Sequence, residues 1–339
     1  MPRPAKPAKP GASRPEAPMT DAPITDPVRG ILAMVAACTI WGLSPLYYKL
    51  LDHIAPIEVL AHRTLWSLVF FAGVLMLQGR LGQVRRALAG RAQVLTIAFA
   101  ALMISTNWFL FILSIQIGRA TEASLGYYIF PLVAVVIGML AFGEKLGRAQ
   151  AVAVGLAVMA VCLLTYGLGV APWISLVLAT TFGLYGLVKK RLDVGPVVSV
   201  TAEVLLLVPI AGIVLALFHG QGGGVYGADL SDSLLLMLSG PLTASPLILF
   251  SYATKRVAMA TVGLVQYLNP TLQFICAVAI FGEPFTGWHA AAFALIWTAL
   301  AIYSLATLGA ERSARRARIN SEAEPVTLTK PRSDGSAKP

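Results

Sequence analysis

Residues 119–144 read RATEASLGYYIFPLVAVVIGMLAFGE, and residues 256–283 read RVAMATVGLVQYLNPTLQFICAVAIFGE. The chain writes one segment twice. Each copy opens on an Arg, passes a small hydroxyl residue and a Gly (Ser124 and Gly126; Thr261 and Gly263), reaches a Pro in mid-segment (Pro131; Pro270) and closes on Phe-Gly-Glu. The second copy carries two extra residues before its Pro. Both copies are apolar, long enough to cross a bilayer, interrupted by Pro and marked by a few polar groups. Two such segments at matching places in two halves point to a transporter with its site at the repeat interface.

Composition agrees. Of 339 residues, 57% are hydrophobic and 12% charged, against about 25% charged in a soluble domain. The fold class is therefore an all-α polytopic membrane protein. Ten spans are predicted, at 30–50, 57–78, 92–116, 121–142, 149–166, 171–189, 197–218, 233–252, 258–281 and 286–308, each near the ~20 residues that a helix needs to cross about 30 Å of hydrocarbon. Helices are required because backbone polar groups in lipid must be satisfied within the segment.

The net charge of +10 orients the chain in a bilayer rather than binding nucleic acid. With the N-terminus inside, Arg80, Arg85, Arg86, Arg91, Lys145, Arg148, Lys189, Lys190, Arg191, Lys255 and Arg256 fall in cytoplasmic loops, with Arg312, Arg315, Arg316 and Arg318 in the tail. The outer loops hold Arg119 and little else. This asymmetry sets ten spans with both termini cytoplasmic.

The repeat extends further. Trp41-Gly42-Leu43 matches Phe182-Gly183-Leu184, Lys49 falls opposite Lys190, and Pro56 matches Pro196. Five spans per half is an odd number, so the halves cross in opposite senses, as two inverted-topology five-helix repeats. The domains are then 1–28, a disordered Pro/Ala-rich cytoplasmic tail; 29–166 and 171–308, the two repeats; and 309–339, a basic disordered tail. No signal peptide is read at the start, and translation begins at Met1 or Met19. Cys38, Cys162 and Cys276 each lie within an apolar run, with neither disulfide nor metal spacing. No catalytic motif, Walker loop or cofactor signature is present, so an enzyme is not expected.

Ionisable groups inside spans cost roughly 2.5–3.5 kcal/mol on insertion scales and call for a partner or a function. In the Pro56/Pro196 register, Arg63 lies opposite Glu203. Each is seven residues past its proline, about 10 Å into the bilayer at 1.5 Å per residue. The two are expected to face the interior and pair; the alternative has Arg63 snorkelling outward and Glu203 lining a vestibule. Glu203 is the candidate for proton coupling, since carboxylates within spans serve as proton relays, although facilitated diffusion is equally open. His62, beside Arg63, is either a relay or a packing residue.

Gln266, Asn269 and Gln273 share one helical face. Pro270 frees the carbonyl of Gln266, and Pro131 that of Tyr127, so each proline is read as marking a helix break, with a simple kink as the alternative. Gln266 and Asn269 are read as cavity lining, against helix–helix hydrogen bonding. Trp41, Tyr48, Asn107, Trp108 and Tyr127 complete the cavity set, with the two tryptophans either stacking on substrate or packing. Glu122 is read as an ion-pair partner of Arg119, and Glu144 and Glu283 as groups that anchor helix ends.

Several motifs taken together resemble the drug/metabolite transporter superfamily, specifically the EamA-type family and its RarD branch. They are Trp41-Gly42-Leu43-Ser44-Pro45 with Tyr48-Lys49-Leu50, His62-Arg63 with Trp66-Ser67, Asn107-Trp108, Glu122-Ala123-Ser124-Leu125-Gly126-Tyr127, Phe182 through Lys190, Glu203, and Gln266-Tyr267 with Pro270-Thr271-Leu272. The likeness covers about residues 29–308. It implies ten helices, a bacterial inner-membrane location and secondary transport of a small organic metabolite or drug-like solute. A small-molecule substrate, the lipid bilayer and possible coupling protons are the implied partners. Two halves in one chain make a monomer the simpler expectation. The rival readings are a non-transporting sensor or scaffold and a membrane-embedded enzyme.

Overall fold

A computed structural model of the chain describes residues 27–142, 147–189, 192–257 and 259–323. The tail up to residue 26, Glu144 with its neighbours, Lys190, Arg191 and the tail from 324 onward lie outside the described residues. Among the described residues the regular elements are helices: α1 (Pro27–Lys49), α2 (Pro56–Leu77), α3 (Leu81–Ala87), α4 (Arg91–Gln116), α5 (Ala120–Phe142), α6 (Arg148–Leu168), α7 (Trp173–Lys189), α8 (Pro196–Gly220), α9 (Leu230–Thr254), α10 (Met259–Gln266), α11 (Leu268–Ile275) and α12 (Gly287–Ala323). A π-helical turn, Cys276–Ile280, prolongs α11.

Nine segments of the described residues are long and apolar enough to cross a bilayer, with α10, α11 and the π turn forming one of them; α7 is a shorter apolar helix that makes the tenth. The large apolar side chains left exposed, among them Leu32, Val69, Leu77, Leu95, Leu140, Ile213 and Leu305, stud the outer surface, where lipid tails solvate them as well as protein does. The chain alternates between a near end, where α1 begins and α12 runs out, and a far end.

Neighbour choice repeats between the halves. Helix α1 packs on α9 and on α10–α11, and α7 packs on the equivalents α4 and α5. The self-equivalent pairs α2 with α8, α5 with α11 and α6 with α12 also meet. Exchanging the halves leaves this pattern largely unchanged, as a pseudo-two-fold axis requires. Matching glycines permit the matching approaches. A Cβ on Gly42 would lie 2.7 Å from Leu272 Cβ and 3.0 Å from Asn269 O, and one on Gly183 would lie 2.8 Å from Ile137 Cδ1.

Helices α2 and α8 both start on a proline after an extended residue, Ala55 and Gly195. Proline suits this position because its missing N–H is one that the first turn leaves unpaired. The same start in both halves places Arg63 and Glu203 two turns in, from opposite ends.

Three expectations need correction. Helix α12 continues to Ala323, so the beginning of the segment expected to be a disordered tail is helical; its Ala, Arg and Glu are strong helix formers. Likewise α1 already includes Pro27 and Val28. Pro131 does not break its helix: α5 runs through it without interruption. The break occurs only in the second half, where α10 stops at Gln266 and α11 starts at Leu268. There the Tyr267 N–H turns back to Leu264 O at 3.3 Å, and Pro270 offers no N–H to the Gln266 carbonyl.

Candidate functional site

A cavity of about 890 Å³ lies between the halves, within the roughly 300–1,000 Å³ typical of small-molecule sites. All seven residues read as cavity lining reach it: Trp41 and Tyr48 from α1, Asn107 and Trp108 from α4, Tyr127 from α5, Gln266 from α10 and Asn269 from α11. Phe111, Phe182, Tyr185, Thr243 and Gln273, which sequence reasoning did not assign to it, line it as well. Its wall extends to the near end through Gln150, Lys189, Pro196, Thr254 and Thr307.

The aromatic wall is set by polar bonds. Asn107, 1% exposed, donates from Nδ2 to Leu178 O (2.9 Å) and Thr181 Oγ1 (3.1 Å) and accepts from Tyr127 Oη (2.8 Å). One amide thus joins α4, α5 and α7. Gln273 Nε2 donates to Asn269 Oδ1 at 2.9 Å, while Gln273 Oε1 has no partner among the described residues. Gln266, Asn269 and Gln273 all line the cavity, as their common face requires.

Arg63 and Glu203 do not pair. Arg63, 6% exposed, turns toward α4 and α9. Its Nε donates to Thr243 Oγ1 at 2.9 Å, and its guanidinium carbon stands 4.1 Å from the Trp108 ring centroid and 5.8 Å from that of Tyr48. Glu203 is fully buried and turns to α7. Its Oε1 accepts from Lys189 Nζ (2.5 Å) and Ser199 Oγ (2.9 Å), and its Oε2 accepts from Tyr185 Oη (3.1 Å). The reason is geometric. Helices α2 and α8 meet through Phe71, Val200 and Val204, an apolar seam that keeps their charges on other faces, and Lys189 at the end of α7 reaches Glu203 first.

This pair had a sequence signal. The offset that sets Trp41 against Phe182 also sets Tyr48 against Lys189, so the contact Tyr48–Arg63 in one half recurs as Lys189–Glu203 in the other. His62 is not brought to the site. Its ring stacks on Tyr226 at 4.9 Å, on the connection between α8 and α9, and Nε2 lacks a partner among the described residues.

The far end is tied shut across the halves. Both oxygens of Glu283 accept backbone N–H groups of α5, from Ala120 (2.6 Å) and Thr121 (2.7 Å). Glu283, read as a group that anchors a helix end, caps the start of α5, where the N-terminal dipole favours a carboxylate. Tyr47 Oη donates to Leu235 O (2.7 Å), Ser175 Oγ to Glu122 O (2.6 Å) and the Val225 N–H to Glu58 Oε1 (2.9 Å). Glu122 pairs with Arg119 at 3.4 Å. Gly126 closes the same end: a Cβ there would stand 2.8 Å from Ser175 O. Its counterpart Gly263 lines the cavity with open space beside it.

The signature of the EamA-like transporter family matches residues 28–166, the first repeat. Protein RarD of Streptomyces exfoliatus is 43% identical over 301 residues, which is 88% of this chain and 94% of that protein. An uncharacterized transporter of Bacillus subtilis, YojE, is 38% identical over 85% of this chain and 97% of its own length. A protein of known crystal structure, 18% identical, superposes over 81% of this chain and 97% of that one with a TM-score of 0.56, a likeness of fold alone. With nine membrane-length helices and a shorter tenth among the described residues, and a cavity framed by both halves, this chain belongs to the RarD-like branch of the EamA-type drug/metabolite transporters, a family of multi-pass bacterial membrane transporters.

Proposed function

We propose that the chain is a secondary transporter of the bacterial inner membrane, an exporter or permease that moves a small organic solute by alternating access. The carrying observation is the contrast between the two ends of one cavity. Its wall runs to the near end through Gln150, Lys189 and Thr254, while Glu283, Tyr47 and Ser175 bridge the halves at the far end. A site reachable from one side at a time, between two related halves, is what rocking of inverted repeats requires. The basic loops Arg80 to Arg91 join helices at the near end, so that end is assigned to the cytoplasm. The described state is then inward-facing, with both termini inside. The cavity is complete within one chain, which favours a monomer.

Protons are the proposed coupling ion and Glu203 their acceptor. Protonating Glu203 removes the charge that holds Lys189, and so loosens the end of α7 from α8. Flux through Glu203→Gln that keeps the wild-type response to pH excludes this role. The function itself is tested by metabolite profiles inside and outside cells that overproduce the protein, against cells producing Glu203→Gln at equal membrane abundance. A solute displaced across the membrane only by the wild type supports transport through this route. A chemically altered solute supports an enzyme instead, and unchanged profiles in both favour the scaffold reading.

A further inference from the structure

We propose that the cavity takes a monoanionic organic acid, with its carboxylate on Arg63 and its apolar body between the aromatic rings. The proposal rests on the transporter reading and deepens it. Among the described residues lining the cavity the charged ones are Arg63 and Lys189, and none is Asp or Glu. Lys189 is already neutralised by Glu203. Arg63 has no carboxylate in ion-pair range among the described residues, and of its five N–H donors only that on Nε is engaged.

The repeat shows what is missing. The register position that gives Glu203 its counter-ion in the second half is Tyr48 in the first, which offers Arg63 a ring 5.8 Å away. Two ring faces, Tyr48 and the nearer Trp108, and one hydroxyl do not supply the counter-charge that a buried guanidinium lacks, and an uncompensated buried charge is costly. Its planar fork suits a carboxylate bidentately. Trp108 and Tyr48 flank the guanidinium, and Trp41, Phe111 and Phe182 line the same space, so the remainder of the ligand meets aromatic surface. An amino-acid zwitterion would leave its ammonium group without a carboxylate among the described residues of the cavity wall.

The test holds the ligand body constant and varies its charge. Phenylacetate, phenylacetamide, phenethylamine and phenylalanine are titrated against the purified full-length protein in nanodiscs, by thermal shift and by quenching of tryptophan fluorescence. The expected result is binding of phenylacetate at least about tenfold tighter than of the other three, the ratio of roughly one charge-assisted hydrogen bond. Arg63→Gln should erase that preference and Arg63→Lys should keep it. Equal binding of the amide or the amine, binding of none of the four, or a preference that survives in Arg63→Gln overturns the proposal. Counterflow of the same compounds in liposomes separates the two claims. Exchange without charge preference overturns the anion site and leaves transport standing, whereas anion-selective binding without exchange supports the site and counts against transport.

Discussion

Glu283→Gln should unlatch the far end. In the described state both Glu283 oxygens accept α5 backbone N–H groups, at 2.6 and 2.7 Å, and the residue is 9% exposed. Glutamine keeps one acceptor, loses the charge and turns an NH₂ toward the other N–H. The loss is about that of one hydrogen bond to a charged group, roughly 1.5–3 kcal/mol. At about 1.4 kcal/mol per tenfold, the balance between far-closed and far-open states moves roughly 10- to 100-fold. A far-open population near 1%, within the usual range for a minor state, would rise to about 10–50%. The assay is a spin-label distance between Ile117→Cys and Pro284→Cys, both exposed at the far end, in a background lacking Cys38, Cys162 and Cys276. A new, longer component in Glu283→Gln is expected. A distribution identical to that of the parent, in a protein that melts at a lower temperature, would mean that Glu283 stabilises the fold and does not gate it.

Gly126→Ala should act at the same end by crowding. The new Cβ falls 2.8 Å from Ser175 O and 3.0 Å from Leu178 Cβ, an overpacking of about 1–3 kcal/mol, and the same label pair should report opening. Gly263→Ala meets no such contact and should leave those distances unchanged. Asn107→Ala removes three hydrogen bonds, each worth about 0.6–1.5 kcal/mol, so thermal unfolding should show a loss of roughly 2–4.5 kcal/mol. Glu203→Gln strands Lys189, whose side chain is 22% exposed. It should therefore cost less than the ~3–5 kcal/mol of a fully buried broken pair. Adding Lys189→Met should restore most of that in a double-mutant cycle; additive losses would show that the pair is not coupled.

Spans and cavity residues were legible because both are written in periodicity and repetition. The twice-written segment around Pro131 and Pro270 located the halves, and the common face of Gln266, Asn269 and Gln273 pointed to one wall of the cavity. The shared register at Pro56 and Pro196 placed Arg63 and Glu203 at matching positions, two turns into their helices. It did not reveal which way each side chain turns, because that depends on an apolar seam through Phe71 and Val204 assembled only by packing. Lys189 was read as a loop charge because it ends its helix, yet the snorkelling length of a lysine lets it fold back to Glu203. The helical run from 309 to 323 was legible in principle from its Ala, Arg and Glu, and was hidden by its high charge. Pro131 and Pro270 occupy equivalent places, yet only the second lies beside a helix break, a difference that proline alone does not encode.

The most direct test is labelling of Gln266→Cys, in the background lacking the native cysteines, by a membrane-impermeant maleimide applied from each side in turn: to intact cells and to inverted vesicles. Gln266 lines the cavity beside the helix break. Alternating access predicts labelling from both sides, faster from the side that holds the termini. Labelling from one side alone, however long the exposure, would contradict it.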